Sequence, residues 1–84
     1  MKINYHKTFK KQYKKLPLKI QQQVDKRLLI FDRDQYNKQL NNHSIDGAYP
    51  DCRSINITGN YRALYRRQGE GVLFVLIGTH SELY

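Results

Sequence analysis

The stretch Val72-Leu73-Phe74-Val75-Leu76-Ile77 decides the fold, because it is an unbroken apolar run with the length of one strand. Gln68-Gly69-Glu70-Gly71 precedes it as a turn signal, and Gly78 follows it. A run of this kind is typical of a central strand that is buried on both faces. The rest of the chain must therefore supply neighbouring strands beside it and a packed layer against it.

Two further strands are predicted before this run. Residues 61–66 alternate between the two faces of the sheet, with Tyr61, Ala63 and Tyr65 on one face and Arg62, Leu64 and Arg66 on the other. Residues 52–57 also suit a strand, and Thr58-Gly59-Asn60 forms a turn signal between the two. Three consecutive strands joined by short turns predict an antiparallel meander.

The first part of the chain has the period of helices. Its apolar residues form two stripes, Phe9, Tyr13 and Leu16 in the first and Ile20, Val24, Leu28 and Phe31 in the second. We expect Thr8 to cap the first helix and Pro17 to separate the two. The second helix should end near Arg33 or Asp34, so residues 8–34 are predicted to form a helical hairpin.

The order of these elements predicts an α+β fold. Residues 2–6 add a short first strand to the expected sheet, and residues 35–50 are expected to be a connecting loop. The chain, residues 1–84, is short enough for one domain only. We therefore expect an N-terminal helical hairpin packed on one face of an antiparallel sheet of about four strands.

The charge of the chain favours an anionic partner. Lysines and arginines number 15 against 7 acidic residues, for a formal net charge of +8, and most of the basic residues lie within residues 1–38. Nucleic acid is the commonest partner of such a domain, and a solvated basic surface is the alternative. A membrane is disfavoured, because the sequence has no Trp and no long apolar stretch.

The sequence favours the cytoplasm and contains no metal or cofactor motif. The first seven residues carry charge without an apolar run behind them, so they are not a secretory signal. The single Cys52 has no partner for a disulfide or a zinc cluster. The three histidines have no metal-ligand spacing, and the glycines do not form a phosphate-binding loop.

The remaining reactive side chains suit cleavage of RNA without a metal. That reaction needs a proton donor and acceptor near neutrality, a fixed cation at the phosphate and an aromatic ring for a base. His80 and Tyr84 follow the buried strand directly, Arg62 lies on the neighbouring strand, and Arg53 is expected within reach of the same face. The alternatives are a surface histidine and an arginine that only forms a salt bridge.

Several segments together resemble a known family. They are Phe9-Lys10-Lys11-Gln12-Tyr13-Lys14-Lys15-Leu16-Pro17, Asn41-Asn42-His43-Ser44-Ile45-Asp46-Gly47, Cys52-Arg53-Ser54-Ile55-Asn56-Ile57-Thr58-Gly59-Asn60-Tyr61-Arg62-Ala63-Leu64-Tyr65 and Gly78-Thr79-His80-Ser81-Glu82-Leu83-Tyr84. In this order and spacing, the chain resembles the RelE/YafQ superfamily of type II toxin–antitoxin toxins over essentially its whole length. The resemblance implies a microbial RNase-like fold and a metal-independent endoribonuclease that cuts mRNA, in many members on the ribosome.

The resemblance also implies roles for individual residues. His80 matches a histidine used in acid–base catalysis, and Arg62 matches an arginine placed at the scissile phosphate. Tyr84 matches an aromatic residue that stacks on a base or takes part in proton transfer. His43 matches a second histidine of YafQ-like members, although a histidine after two asparagines also suits the cap of a turn.

Partners follow from the same resemblance and from the charge. Arg53 and Tyr61 are candidates for RNA contact, with packing on the helices as the alternative for Tyr61. The lysines expected to touch phosphates of 16S rRNA on the ribosome are Lys10, Lys11, Lys14 and Lys15. The expected partners are therefore mRNA, the ribosome and an acidic antitoxin that folds on binding.

The chain departs from the family pattern at three positions. Asn56 and Asn60 stand where YafQ-like members carry a histidine and an aspartate, and Leu76 stands where they carry an arginine. The expected site thus has fewer ionisable groups. Two other interpretations remain open: a catalytically weak or inactive member of the superfamily that binds the antitoxin, and a non-catalytic nucleic-acid-binding module.

Overall fold

The computed structural model describes residues 1–84 as one sheet with helices around it. The strands are β1 (Ile3–Tyr5), β2 (His43–Ser44), β3 (Cys52–Asn56), β4 (Tyr61–Gln68) and β5 (Gly71–Thr79). The helices are α1 (Lys7–Lys14), α2 (Leu18–Arg33) and α3 (His80–Leu83), with a short 3-10 helix at Lys38–Leu40. None of the helices combines the length and the apolar character that crossing a membrane requires.

The strands lie in the order β1-β5-β4-β3-β2, and the predicted meander forms its antiparallel centre. The predicted helical hairpin on an antiparallel sheet of about four strands is confirmed, and the structure refines the sheet in two respects. The strand β1 pairs with β5 in parallel, and β2 adds a fifth strand inside the predicted loop 35–50. The first strand was predicted, but its three residues carry no signal of direction. The two residues of β2 are polar and exposed, so no apolar pattern signals that strand.

The two faces of the sheet have different roles. On the helical face, Ile55, Ala63, Tyr65 and Phe74 are buried with residues of α1 and α2 in one core. Phe31 of α2 packs edge-on against Tyr65 and Phe74, with ring centroids 4.9 and 5.2 Å apart. We call the opposite side the distal face; by the alternation of the strands it carries Ser54, Asn56, Arg62 and Leu64.

The helical hairpin is confirmed, although its first cap differs from the prediction. The Nδ1 atom of His6 accepts a hydrogen bond from the Thr8 amide at 3.1 Å, so His6 caps α1 and Thr8 lies inside the helix. Farther along α1, Gln12 reaches the sheet, where its side-chain oxygen accepts from the Ile77 amide at 2.9 Å. Ile77 lies past the residues of β5 that pair with β1, so this edge of β5 has no neighbouring strand there. The side chain of Gln12 satisfies the backbone amide at that edge in place of a strand.

The junction of β1 and β5 depends on a close backbone approach at Gly71. The Val72 amide donates to the carbonyl of Lys2 at 2.9 Å, which begins the parallel pairing. A Cβ atom on Gly71 would lie 2.0 Å from that same carbonyl oxygen. Because the obstacle is backbone and not a flexible side chain, only glycine fits this position without moving β1.

Replacement of Gly71 should therefore destabilise the fold. We expect Gly71→Ala to lower the free energy of unfolding by about 1–3 kcal/mol, because β1 must move to admit the methyl group. Urea unfolding followed by circular dichroism measures this change. Gly47→Ala is the matched control, since nothing lies within 4 Å of a Cβ at Gly47. Equal stability of the two variants would contradict the close approach.

Candidate active site

The strand β5 runs directly into α3, and His80 lies at the junction. The Thr79 hydroxyl accepts from the Glu82 amide at 3.2 Å, while the Glu82 carboxylate accepts from the Thr79 amide at 2.8 Å. These two bonds form a capping box that starts α3. The His80 amide donates to the carbonyl of Asn60 at 2.8 Å, so the backbone of His80 is bound to the turn between β3 and β4.

Three aromatic rings meet at α3. The imidazole of His80 lies 4.7 Å from the ring of Tyr84, and Tyr84 remains 45% exposed. Tyr49 approaches from the loop before β3, with its ring 6.1 Å from Tyr84 in an edge-on arrangement. The hydroxyl of Tyr49 also donates to the carbonyl of Leu83. Sequence reasoning missed Tyr49, whose only signal is an aromatic ring in a largely polar loop.

Arg62 lies on the distal face at the end of the sheet from which α3 continues. We call this region, with Arg62, His80 and Tyr84, the corner. The register pairs Arg62 with Gly78, two residues before His80. A Cβ atom on Gly78 would meet the Glu82 carboxylate at 3.2 Å, so α3 lies directly against this part of β5. The His80 amide is bound to the carbonyl of Asn60, and only Tyr61 separates Asn60 from Arg62. The backbone therefore places Arg62 next to the segment that leads into His80, and the ring of His80 lies against Tyr84.

The guanidinium of Arg62 is held by the turn before its own strand. Its Nη1 atom donates to the carbonyls of Thr58 at 2.9 Å and Tyr61 at 3.0 Å, and its Nη2 atom donates to the carbonyl of Gly59 at 3.2 Å. An arginine has five N–H donors, so the fork retains donors for an anion after making these bonds. The same bonds close the turn and fix the cation beside α3.

Two buried oxygens on the distal face lack a hydrogen-bond partner. They are the hydroxyl of Ser54 and the side-chain carbonyl of Asn56, which point to the same face from alternate positions of β3. Asn56 is the register partner of Arg62. Asn56 therefore places a polar side chain next to Arg62 on the distal face.

His43 is not part of the corner formed by His80 and Arg62. It lies in β2, exposed, and pairs with Ser54 of β3. Because β3 separates β2 from β4, His43 is two strand spacings, or about 10 Å, from the row of Arg62. One ring nitrogen of His43 lies 2.7 Å from the carbonyl of Asn41, which fits the turn-capping alternative.

The prediction that Arg53 reaches the same face as Arg62 is wrong. Arg53 pairs with the buried Tyr65, so the alternation of β3 directs it to the helical face. Its Nε atom donates to the side chain of Asn42 at 2.7 Å, and its guanidinium lies 5.5 Å from the ring centre of Tyr36. The sequence predicted the strand on which Arg53 lies, but the face that its side chain occupies depends on the register of that strand.

The other candidates for RNA contact lie around α1. Tyr61 packs against the core on the helical face, as the packing alternative predicted. It lines a groove with Lys15 and Glu82, so Lys15 is close to α3. Lys10 and Lys14 line a different groove, which also contains Tyr5 and Asp25, and Lys11 is exposed. The structure thus separates these lysines into two groups.

Comparison with known proteins decides the family. The whole chain, residues 1–84, matches the model of a bacterial toxin of type II toxin–antitoxin systems, YafQ. The chain belongs to the YafQ toxin family. The resemblance predicted from the sequence motifs is confirmed. Comparison with curated proteins gives no match.

Solved structures of toxins share this fold. YafQ from E. coli strain BL21(DE3) superimposes with a TM-score of 0.82 over 99% of this chain and 97% of that chain, at 14% identity. The RelB–RelE antitoxin–toxin complex from Methanococcus jannaschii gives a TM-score of 0.72 at 26% identity, covering 96% and 94% of the two chains. The E. coli DinJ–YafQ complex gives 0.71 at 18% identity, covering 99% and 97%. The predicted α+β fold of this toxin family is confirmed.

Two pKa shifts describe the surroundings of the toxin's distal face. Hydrogen bonds from the Thr79 amide and hydroxyl hold the pKa of Glu82 below its usual range, since they stabilise the carboxylate. Burial raises the pKa of the Cys52 thiol, so its thiolate is disfavoured. The lowered pKa favours the ionised form of Glu82, whose carboxylate accepts the hydrogen bonds of the capping box. Cys52 is a buried residue of β3.

The corner contains the groups that an anionic substrate requires. The guanidinium of Arg62 lies on the strand that pairs with the end of β5, and the imidazole of His80 and the exposed ring of Tyr84 follow directly after β5. Lys15 lines a groove with Glu82 of α3 at the helical side of the same sheet end. Such a set binds a phosphodiester, transfers a proton and stacks on a base. No group of three or more His, Cys, Asp or Glu side chains is placed to hold a metal ion.

The capping box makes the order of α3 dependent on pH. The pKa of Glu82 is lower in the folded toxin than in the unfolded chain, so its contribution is present above the usual carboxyl range and lost as pH falls through the lowered pKa. We expect the NMR shift of the Thr79 amide proton to follow this titration. Glu82→Gln should abolish the pH dependence, whereas Glu70→Gln in the β4–β5 turn should retain it. A titration that persists in Glu82→Gln would contradict the capping role.

Proposed function

We propose that this YafQ-family toxin is an endoribonuclease that cleaves mRNA and thereby inhibits translation. The observation that carries the proposal is the arrangement of His80, Tyr84 and Arg62. The His80 amide and the Arg62 guanidinium both donate to carbonyls of the β3–β4 turn, and the ring of Tyr84 lies against that of His80. The family assignment supports the same reaction. We further propose that residues 1–84 act as one toxin domain in the cytoplasm.

The proposed reaction is attack of a ribose 2′-hydroxyl on the adjacent phosphorus. The 2′-oxygen loses its proton and forms a bond to phosphorus, while the bond from phosphorus to the 5′-oxygen breaks. The 5′-oxygen leaves with a proton, so the products are a 2′,3′-cyclic phosphate and a 5′-hydroxyl. Because imidazole exchanges protons near neutrality, His80 is the group that takes part in these transfers.

Arg62 is proposed to bind the phosphate on which charge develops in the transition state. Its donors that are not used by the carbonyls of Thr58, Gly59 and Tyr61 are available for phosphate oxygens. The turn holds the cation before the substrate arrives, so little rearrangement is required during the reaction. Tyr84 is proposed to stack on a base beside the cleaved bond, because it is exposed and rests on His80.

Ribosome dependence is proposed from the charge and from the small number of ionisable groups. His80 is the only histidine in the corner, and His43, Asn56 and Asn60 supply no further general acid there. Ribosomal RNA that orients the mRNA would compensate for such a sparse site. The lysines of α1 are proposed to contact phosphates of 16S rRNA, with Lys15 the closest of them to α3.

An acidic antitoxin is the proposed protein partner. Structures similar to this toxin include complexes of DinJ with YafQ and of RelB with RelE. The net charge of +8 favours an acidic segment that covers the basic surface. The second candidate function is an inactive relative that retains this binding, which is favoured by Asn56, Asn60 and Leu76 at positions where YafQ-like members carry ionisable groups.

Cleavage of translated mRNA tests the proposal. We expect the wild-type toxin to cut ribosome-bound message, with the cuts mapped by primer extension. His80→Ala should lower kcat by about 10²–10⁴-fold, because it removes general acid–base catalysis. Arg62→Ala should lower kcat by about 10²–10³-fold, and Arg62→Lys should restore it only in part, since an ammonium lacks the planar fork.

Two controls accompany this experiment. Lys26→Ala removes a positive charge from the exposed side of α2, so it separates the loss of charge from the loss of the site. His43→Ala distinguishes the corner from β2 and should reduce cleavage much less than His80→Ala. Expression without antitoxin should arrest growth for the wild type and not for His80→Ala. Absence of cuts by the wild type, on and off the ribosome, would refute the endoribonuclease proposal.

A further inference from the structure

We infer that Tyr49 is a positioning residue of this toxin, which holds α3 from outside and thereby places Tyr84 and His80. The inference rests on the proposed function for its effect on cleavage. The claim that Tyr49 stabilises the short helix α3 does not depend on that function and can be tested without measuring cleavage. Neither the sequence motifs nor the roles implied by the family resemblance assign anything to Tyr49.

The loop that carries Tyr49 is held by its own hydrogen bonds. The Tyr49 amide donates to the carbonyl of Ile45 at 2.8 Å, and the Cys52 amide donates to the carbonyl of Tyr49 at 3.1 Å. Asp51 has a left-handed backbone with φ of 64°, and its amide donates to the Asp46 carboxylate at 2.5 Å. These bonds close the segment on itself, so Tyr49 is presented in one orientation.

The loop crosses the distal face to reach α3. It begins at the outer strands β2 and β3, whereas α3 follows β5 on the other side of β4. Pro50 lines a shallow cleft with Cys52 and Leu76, which lie on the distal face of β3 and β5. Ser54 and Leu64 are fully buried on this face although it has no helix of the hairpin, and we infer that the loop is the segment that covers them.

At α3, Tyr49 contacts the C-terminal end of the helix, whose C-cap is Tyr84. The helix has four residues, and the bond from the Tyr84 amide to the carbonyl of His80 is its final turn. The last carbonyls of any helix lack partners within it. The hydroxyl of Tyr49 supplies a donor to one of them, at Leu83, while its ring supports Tyr84.

The placement of His80 depends on this outside support because α3 is too short to be stable alone. The capping box holds the first residue, and the buried Leu83 anchors the underside. The ring of His80, however, is exposed and rests on Tyr84, which is itself partly exposed. Tyr49 is the residue that fixes the far side of Tyr84, so it determines the geometry of the aromatic pair.

The experiment removes first the hydroxyl and then the ring of Tyr49. We expect Tyr49→Phe to lower kcat by about tenfold, since one hydrogen bond to α3 is lost. Tyr49→Ala should lower kcat by about 10²-fold, because small misplacements of catalytic groups have effects of this size. The shape of the pH profile of kcat should be unchanged in Tyr49→Phe, since Tyr49 moves no proton.

Amide hydrogen exchange by NMR provides the second readout. The exchange of the Tyr84 amide should accelerate several-fold in Tyr49→Phe, because its bond to the carbonyl of His80 opens more often. Tyr13→Phe is the matched control: it also removes a tyrosine hydroxyl bond, to Asp25 at 2.8 Å, but on the surface of the hairpin. It should change neither the exchange at Tyr84 nor kcat. Asp46→Ala should reproduce the effect of Tyr49→Phe by loosening the loop.

The two readouts separate the failure of this inference from the failure of the proposed function. Unchanged exchange at Tyr84 in Tyr49→Phe overturns the positioning role, whatever the cleavage rates are. Faster exchange with an unchanged kcat also overturns it, because α3 would then not control the reaction. Absence of cleavage by the wild-type toxin overturns the proposed function and is seen independently of exchange. A Tyr49→Ala variant that fails to fold leaves the decision to Tyr49→Phe.

Discussion

The edge-on contact of Phe31 with Tyr65 and Phe74 is the interaction on which the arrangement of the other residues depends. It fixes which face of β4 and β5 packs against the helical hairpin. Because side chains alternate along a strand, the same contact directs Arg62 to the distal face. A register shift between Leu64 and Tyr65 accommodates an extra residue of β5 without disturbing this assignment. The core on one face and the corner of the site on the other are therefore set together.

Elements with a strong apolar period were predictable from the sequence. The hairpin of α1 and α2 and the strands β3, β4 and β5 follow from their stripes and turns, and the corner of His80, Tyr84 and Arg62 follows from the order of these strands. The parallel direction of β1 was not predictable, since three residues carry no signal of direction. The face of Arg53 and the role of Tyr49 depend on register and on loop contacts, which no local pattern encodes.

The candidate site is held by hydrogen bonds to backbone carbonyls. The carbonyls of Thr58, Gly59 and Tyr61 accept from the guanidinium of Arg62, and the carbonyl of Asn60 accepts from the amide of His80. The turn therefore joins the cation and the imidazole without any side-chain pair between them. None of these hydrogen bonds involves the side chains of Asn56 or Leu76.

The parallel pairing of β1 with β5 determines when the sheet can finish folding during synthesis of the chain. Ile3 finds its partner at Val72, so nearly the whole chain must be synthesised before this contact can form. Contacts of such separation close large loops and are slow in folding. During translation, β1 and the start of α1 are expected to wait without a sheet, while β3 and β4 pair locally. The newly made chain thus passes through a stage at which its first strand remains accessible to other proteins.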